Sequence, residues 1–173
     1  MTDPFTVRVD SLQETALLAA ALSLHVCPGM VICLEGQLGA GKTAFVSALG
    51  DALGVDAEVR SPTFTLENRY PLRPVAAGGP ELLVHSDLYR PGEDARRDLL
   101  LSLLEARDEG ALIAIEWADP VKDWLTPYLL LTIELAEGTQ ARRFTLDTVP
   151  DGWPAMQELA RAWSAIGDEG EDA

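Results

Sequence analysis

The sequence is short of positive charge. Lys and Arg total 13 against 28 Asp and Glu, a formal charge of −15. Such a chain repels a phosphate backbone at long range, which argues against free-standing nucleic-acid binding. A single nucleotide remains compatible if local backbone N–H groups, a lysine and a metal offset that field. Cysteine is scarce too. Cys27 and Cys33, six apart and without a nearby His pair, make a poor zinc site. They also make no disulfide framework, which suits a reducing cytosol. Both are expected as buried thiols packing as small hydrophobes. No run reaches the ~18 apolar residues of a membrane span. Residues 1–10 lack the basic start and apolar stretch of a signal peptide, so a cytoplasmic location is expected. The single asparagine, Asn68, is followed by Arg69. The guanine-reading signature Asn-Lys-x-Asp is therefore absent, which argues against a regular small GTPase.

What is present is globular. The chain has 173 residues, 47% hydrophobic and 24% charged, enough for one domain with its own core. Phe5–Val9 reads as an edge strand. Ser11 and Glu14 fit a capping box that opens an Ala- and Leu-rich helix running to about His25. His25 reads as a surface or dipole-compensating residue at that helix end. Met30–Leu34 is a continuous apolar run, as in a strand covered on both faces. A helix is expected from Lys42 to Leu53, and a loop at Ser61–Phe64 entering a strand toward Tyr70. Pro71–Pro80 is a turn-rich surface loop. Glu81–Ser86 and Ala111–Glu116 read as strands around a helix at Glu93–Arg107. Leu129–Leu135 and Arg142–Asp147 form a hairpin, and a helix at Pro154–Ala165 ends the fold. Alternating strands and helices predict an α/β sheet with helices on its faces and an antiparallel terminal part. Residues 167–173 carry Asp168, Glu169, Glu171 and Asp172 and read as a disordered acidic tail.

The strongest signal is Gly36-Gln-Leu-Gly-Ala-Gly-Lys42-Thr43, a complete G-x-x-x-x-G-K-[ST] match. Gly36, Gly39 and Gly41 admit backbone conformations that a side chain hinders. The loop N–H groups then face one centre and cradle phosphate oxygens. The helix starting near Lys42 points its positive end to the same place. Lys42 supplies a point charge for the β- and γ-phosphates, and Thr43 a hydroxyl for Mg²⁺. An apolar strand enters the loop and a helix leaves it. The fold class is therefore a three-layer P-loop NTPase fold, with a mixed, mostly parallel sheet and a C-terminal antiparallel hairpin. Residues 1–166 read as a single P-loop ATPase domain.

Phosphate chemistry also needs a metal carboxylate and a group that positions a nucleophile. Asp87 and Glu116 each follow an apolar strand, and strand carboxyl ends line the ligand crevice of such sheets. Either could reach a metal held by Thr43. Arg90, Arg96 and Arg97 read either as part of a kinase-like lid or as a solvated helix face.

Three further segments accompany the loop: Ser61-Pro-Thr-Phe64, His85-Ser-Asp-Leu-Tyr-Arg90 and Ile115-Glu-Trp117. In this order and spacing they resemble the bacterial tRNA threonylcarbamoyladenosine biosynthesis ATPase family, TsaE (YjeE). The likeness runs from about Thr15 to about Asp147. It implies ATP as substrate and Mg²⁺ as cofactor. The implied nucleotide-binding set is Thr15, Gly36, Leu38, Gly39, Ala40, Gly41, Lys42, Thr43 and Ala44, with Thr15 near the base. Thr43 and Glu116 would bind Mg²⁺. Asp87 would be the Walker B-like acid near the metal or the attacking water, and with Lys42 and Glu116 it makes up the catalytic set. Ser61, Pro62, Thr63 and Phe64 would form a switch-like loop, with Thr63 near the γ-phosphate. Trp117 would pack beside the nucleotide.

The family supports modification of adenosine-37 in tRNAs reading ANN codons. It acts with two transferase-complex proteins of the Kae1/Qri7-like superfamily, and tRNA contact is indirect. Gln37 and Ala44 depart from the family's usual acid and second threonine. Residues 91–97 and the loop at 75–80 depart as well. No arginine finger is evident, so slow turnover by the isolated chain is expected. A nucleotide-gated binding module and a small-molecule kinase are the alternative readings.

Overall fold

Residues 4–62, 65–73, 77–89, 91–136, 140–149 and 155–168 are described by a computed structural model. The first strand, β1 (Phe5–Val9), leads into helix α1 (Leu12–Ser23) through the expected cap. The Glu14 N–H donates to Ser11 Oγ at 3.1 Å. The Glu14 carboxylate reaches back to the N–H of Asp10, one residue before the cap, at 2.8 Å.

Strand β2 (Val31–Glu35), helix α2 (Lys42–Ala52) and strand β3 (Glu67–Pro71) come next. Strand β4 (Leu82–Asp87), helix α3 (Glu93–Asp108) and strand β5 (Leu112–Glu116) follow. The chain closes with strands β6 (Tyr128–Leu135) and β7 (Arg142–Val149) and helix α4 (Met156–Asp168). A single 3-10 turn at Lys122–Trp124, not foreseen from the sequence, precedes β6.

The sheet has seven strands in the order β1-β7-β6-β2-β5-β4-β3. β2 pairs parallel with both β5 and β6, and β4 pairs parallel with β5. β7 and β3 run against the rest, through antiparallel pairing with β1 and β6 and with β4. Leu18, Phe45 and Trp163 place α1, α2 and α4 over one face, in the larger core cluster. Leu99, Leu103 and Ala106 place α3 over the other, with Ala118, Val121 and Leu125 from the segment after β5. Side-chain alternation divides β2 between these clusters, Ile32 and Leu34 to one and Val31 and Cys33 to the other. This explains its unbroken apolar run. It is the three-layer arrangement expected.

Two details differ from expectation. Cys33 is buried, but Cys27 is exposed, because it lies in the turn after α1 rather than in β2. Helix α4 continues to Asp168, two residues into the segment read as tail. Residues 169–173 lie outside the described residues. Among the described residues no helix is long and apolar enough to cross a membrane.

Candidate nucleotide site

The site is built where β2 gives way to α2. Gly36 leaves the strand at φ +142°, and a Cβ there would lie 2.2 Å from the backbone oxygen of Ile133. Only glycine fits, because the obstruction is backbone of the neighbouring strand. Gly41, at φ +112°, closes the loop and occupies the N-cap of α2. No side chain caps that helix, and its first turn carries no acid. Its leading N–H groups are thus left for an anion.

Lys42 begins the helix and is only 4% exposed. Its Nζ donates to the loop carbonyls of Gly36 at 2.7 Å and Gln37 at 3.1 Å. It also stands 4.2 Å from the centre of the Trp117 ring. Burial lowers the ammonium pKa, and the carboxylates of Glu116 and Asp87 oppose that shift. Trp117 itself sits at φ +58°, a costly conformation for a bulky residue. Tyr89 also packs against Trp117, with ring centres 4.9 Å apart.

The acids stand level with each other on adjacent strands. In the parallel β4–β5 ladder, Asp87 is the register partner of Glu116. Leu83 and Leu112, in step with them along each strand, join the cluster under α2. Both carboxylates therefore face α2. Thr43 Oγ1 donates to Glu116 Oε1 at 2.7 Å. Ser61 Oγ donates to Asp87 Oδ2 at 2.9 Å, and the Tyr89 N–H donates to Asp87 Oδ1 at 2.9 Å. A hydroxyl and a carboxylate oxygen side by side suit a hard cation such as Mg²⁺, which takes one or two protein oxygens and fills the rest with phosphate and water. Among the described residues there is no cluster of three His, Cys, Asp or Glu, so the soft, all-protein type of site is not offered here.

These groups line a cleft of about 480 Å³. From the predicted set it contains Leu38, Gly39, Gly41, Lys42, Thr43, Ala44, Ser61, Asp87 and Glu116, with Trp117. Gly36 and Ala40 support the loop from behind, and Ala40 is fully buried. Pro62 is buried beside Ser61. Thr15 is not part of the lining. It is buried in α1, with its hydroxyl donating to Ser11 O at 3.1 Å. Thr63, Phe64 and Arg90 lie outside the described residues. Arg96 and Arg97 are on α3, away from the lining, and Arg96 Nε donates to Pro91 O at 3.1 Å. His25 stands 4.0 Å from Glu158, remote from the cleft.

Three contributors escaped the sequence reading. Arg142, first in β7, lines the cleft and donates from Nε to Ala40 O at 2.8 Å. It meets the loop only because the β6–β7 hairpin folds beside it, and no local motif marks it. Tyr89 stood within a quoted segment without a role. Lys122, one of only two lysines in the chain with Lys42, bridges Glu35 at 2.8 Å and Asp119 at 2.6 Å. Those carboxylates hold its ammonium pKa well above the usual range, the bond to Asp119 foremost. The bridge ties the end of β2 to the segment that follows Trp117.

Residues 9–144 match the family described as "Threonylcarbamoyl adenosine biosynthesis protein TsaE". The chain is similar to tRNA threonylcarbamoyladenosine biosynthesis protein TsaE of Bacillus subtilis, 33% identical over 150 residues, which covers 86% of this chain and 89% of the relative. The protein of that name from Mycobacterium tuberculosis strain H37Rv is 32% identical over 130 residues, 73% of this chain and 76% of the relative. In three dimensions the chain resembles the crystal structure of Bacillus subtilis YdiB. The TM-score is 0.71 at 27% identity, over 95% of this chain and 97% of that one.

Proposed function

The chain belongs to the TsaE family of threonylcarbamoyl adenosine biosynthesis proteins, and from that premise we propose that it is a Mg²⁺-dependent ATPase. Its role is to support threonylcarbamoylation of adenosine-37 in tRNAs reading ANN codons. The carrying observation is the Thr43–Glu116 pair, 2.7 Å apart in the cleft that also holds Lys42. In this reading Lys42 exchanges its two carbonyl acceptors for β- and γ-phosphate oxygens. The loop amides and the open N-terminus of α2 hold the remaining phosphate charge. Thr43 and Glu116 would hold Mg²⁺, which would supply positive charge against the phosphates. Asp87, fixed by Ser61 and the Tyr89 N–H, orients the attacking water. Arg142 braces the loop and adds a cation to the cleft wall.

Partners complete this role. The family resemblance supplies two transferase proteins of the Kae1/Qri7-like superfamily, and a cytoplasmic location goes with them. A net charge of −15 leaves tRNA contact to those partners. Phosphate release from MgATP tests the reading, measured for the chain alone and then with both partners. Slow release alone and a clear rise with partners, abolished in Thr43→Ala, is the expected result. No release in either case, despite nucleotide binding, overturns it.

The Ser61–Asp87 bond favours one second reading. It joins the switch-like loop to the strand-end acid, as in a module whose partner affinity is set by nucleotide. If Glu116→Ala loses hydrolysis while partner binding and modification survive, gating replaces turnover as the function.

A further inference from the structure

We propose that His85 is a positioning residue for Glu116, fixing that carboxylate beside Thr43 through a hydrogen bond from its Nε2–H. The inference rests on the metal–nucleotide reading above and concerns the chain's own groups behind it. His85 lies on β4 two residues before Asp87, so it faces the same side of the sheet. It is completely buried. Its Nε2 is 2.9 Å from Glu116 Oε1, the oxygen that also accepts from Thr43 Oγ1 at 2.7 Å. A carboxylate oxygen only accepts, so Nε2 carries the hydrogen. Glu116 Oε1 is thereby held from the strand side by an imidazole and from the helix side by a hydroxyl.

A packing role alone does not account for the residue. His85 Nδ1 is buried with no hydrogen-bond partner among the described residues. Leaving a buried polar atom unmade costs on the order of 1–3 kcal/mol, and an aliphatic side chain at this place would avoid that cost. What an aliphatic side chain lacks is the Nε2–H aimed at Glu116. Without it the carboxylate keeps Thr43 but loses its hold from behind. Outer groups that orient a metal ligand in this way typically govern about 10–100-fold in metal affinity.

The test compares the full-length wild type with His85→Leu, His85→Gln and His85→Asn. Binding of a fluorescent ATP analogue is titrated with Mg²⁺ and also measured without it, and thermal melting checks folding. Glutamine places an N–H at the same number of bonds from the backbone as Nε2, whereas asparagine falls one bond short. The expected result is equal metal-free nucleotide affinity in all four proteins. The Mg²⁺ midpoint rises about tenfold or more in His85→Leu and His85→Asn, and stays within roughly threefold of wild type in His85→Gln. A folded His85→Leu with the wild-type midpoint overturns the proposal. So does a His85→Gln as impaired as His85→Asn, a comparison that stands even if the leucine variant fails to fold. Wild-type binding that ignores Mg²⁺ would instead overturn the metal reading itself.

Discussion

Thr43 and Glu116 stand 73 positions apart in the sequence, and their side-chain oxygens meet at 2.7 Å. One lies in the first turn of α2 and the other closes β5. The hydrogen bond between them thus joins the phosphate loop to the strand that carries the acid. Neither residue is placed by the other's local structure. The parallel pairing of β2 with β5 brings them together, setting Leu34 opposite Glu116 just before the loop begins.

Removing either partner separates metal from nucleotide. Glu116→Gln keeps the shape of the side chain and discards its charge. ATP hydrolysis with partners present is expected to fall by roughly 10²-fold or more. Binding of ATP in the absence of Mg²⁺ stays near wild type. Steady-state phosphate release and a metal-free nucleotide titration check this, and Thr43→Ala follows the same pattern.

The glycines of the loop differ in what they tolerate. Gly36→Ala would press a methyl group to 2.2 Å from Ile133 O, and the obstruction is backbone. Nucleotide binding is expected to be lost. Gly39, at φ +79°, meets nothing within 4 Å. Gly39→Ala there carries only the left-handed backbone cost, roughly 1–2 kcal/mol. It should weaken binding without abolishing it. Isothermal titration with ATP separates the two, and equal losses would contradict the geometry.

Arg142 supplies the prediction that sequence reading could not make. Its Nε bond to Ala40 O anchors the phosphate loop from the β7 side. Arg142→Ala is expected to weaken nucleotide binding about tenfold or more, since a hydrogen bond from a charged donor contributes about 1.5–3 kcal/mol. Arg142→Lys should recover little, because an ammonium lacks the planar fork. Equilibrium binding of ATP by the three proteins decides it.

The two thiols should part company chemically. Burial pushes the Cys33 pKa up to about 12, with Lys122 opposing and Glu35 and Asp119 assisting, whereas Cys27 is exposed. One thiol is expected to react with an alkylating reagent at pH 8 in the folded protein, and two after unfolding. The raised value also has a sign for stability. The unfolded thiol ionises near pH ~8.5 and the folded one resists. Stability is unaffected below that pH, then falls as pH rises toward about 12, by up to ~1.36 kcal/mol per unit. Denaturant unfolding of wild type and Cys33→Ala between pH 8 and 10 reads the difference.

The sequence disclosed what is local and hid what is set by register. The phosphate loop is eight contiguous residues, and each glycine and the lysine announces its own conformational or electrostatic task. Asp87 and Glu116 were legible because apolar runs end at them. His85 shows the limit, since its bond to Glu116 spans 31 positions. Arg142 reaches Ala40 across 102 and Lys122 reaches Glu35 across 87. No periodicity marks such pairs. The exposure of Cys27 was misread because an apolar residue type was taken for a buried one, although it falls in a turn.

The lysine count carries a practical consequence. Lys42 lies within the cleft, and Lys122 braces the strand that leads to it. Any reagent or modification directed at side-chain amines is confined to these two places. Acylation of Lys42 would remove the charge that faces the phosphates. Acylation of Lys122 would leave Glu35 and Asp119 without their shared cation. Amine coupling at a lysine would therefore fall on the nucleotide site or on its brace, not on a neutral handle elsewhere. Attachment through Cys27 leaves that site untouched.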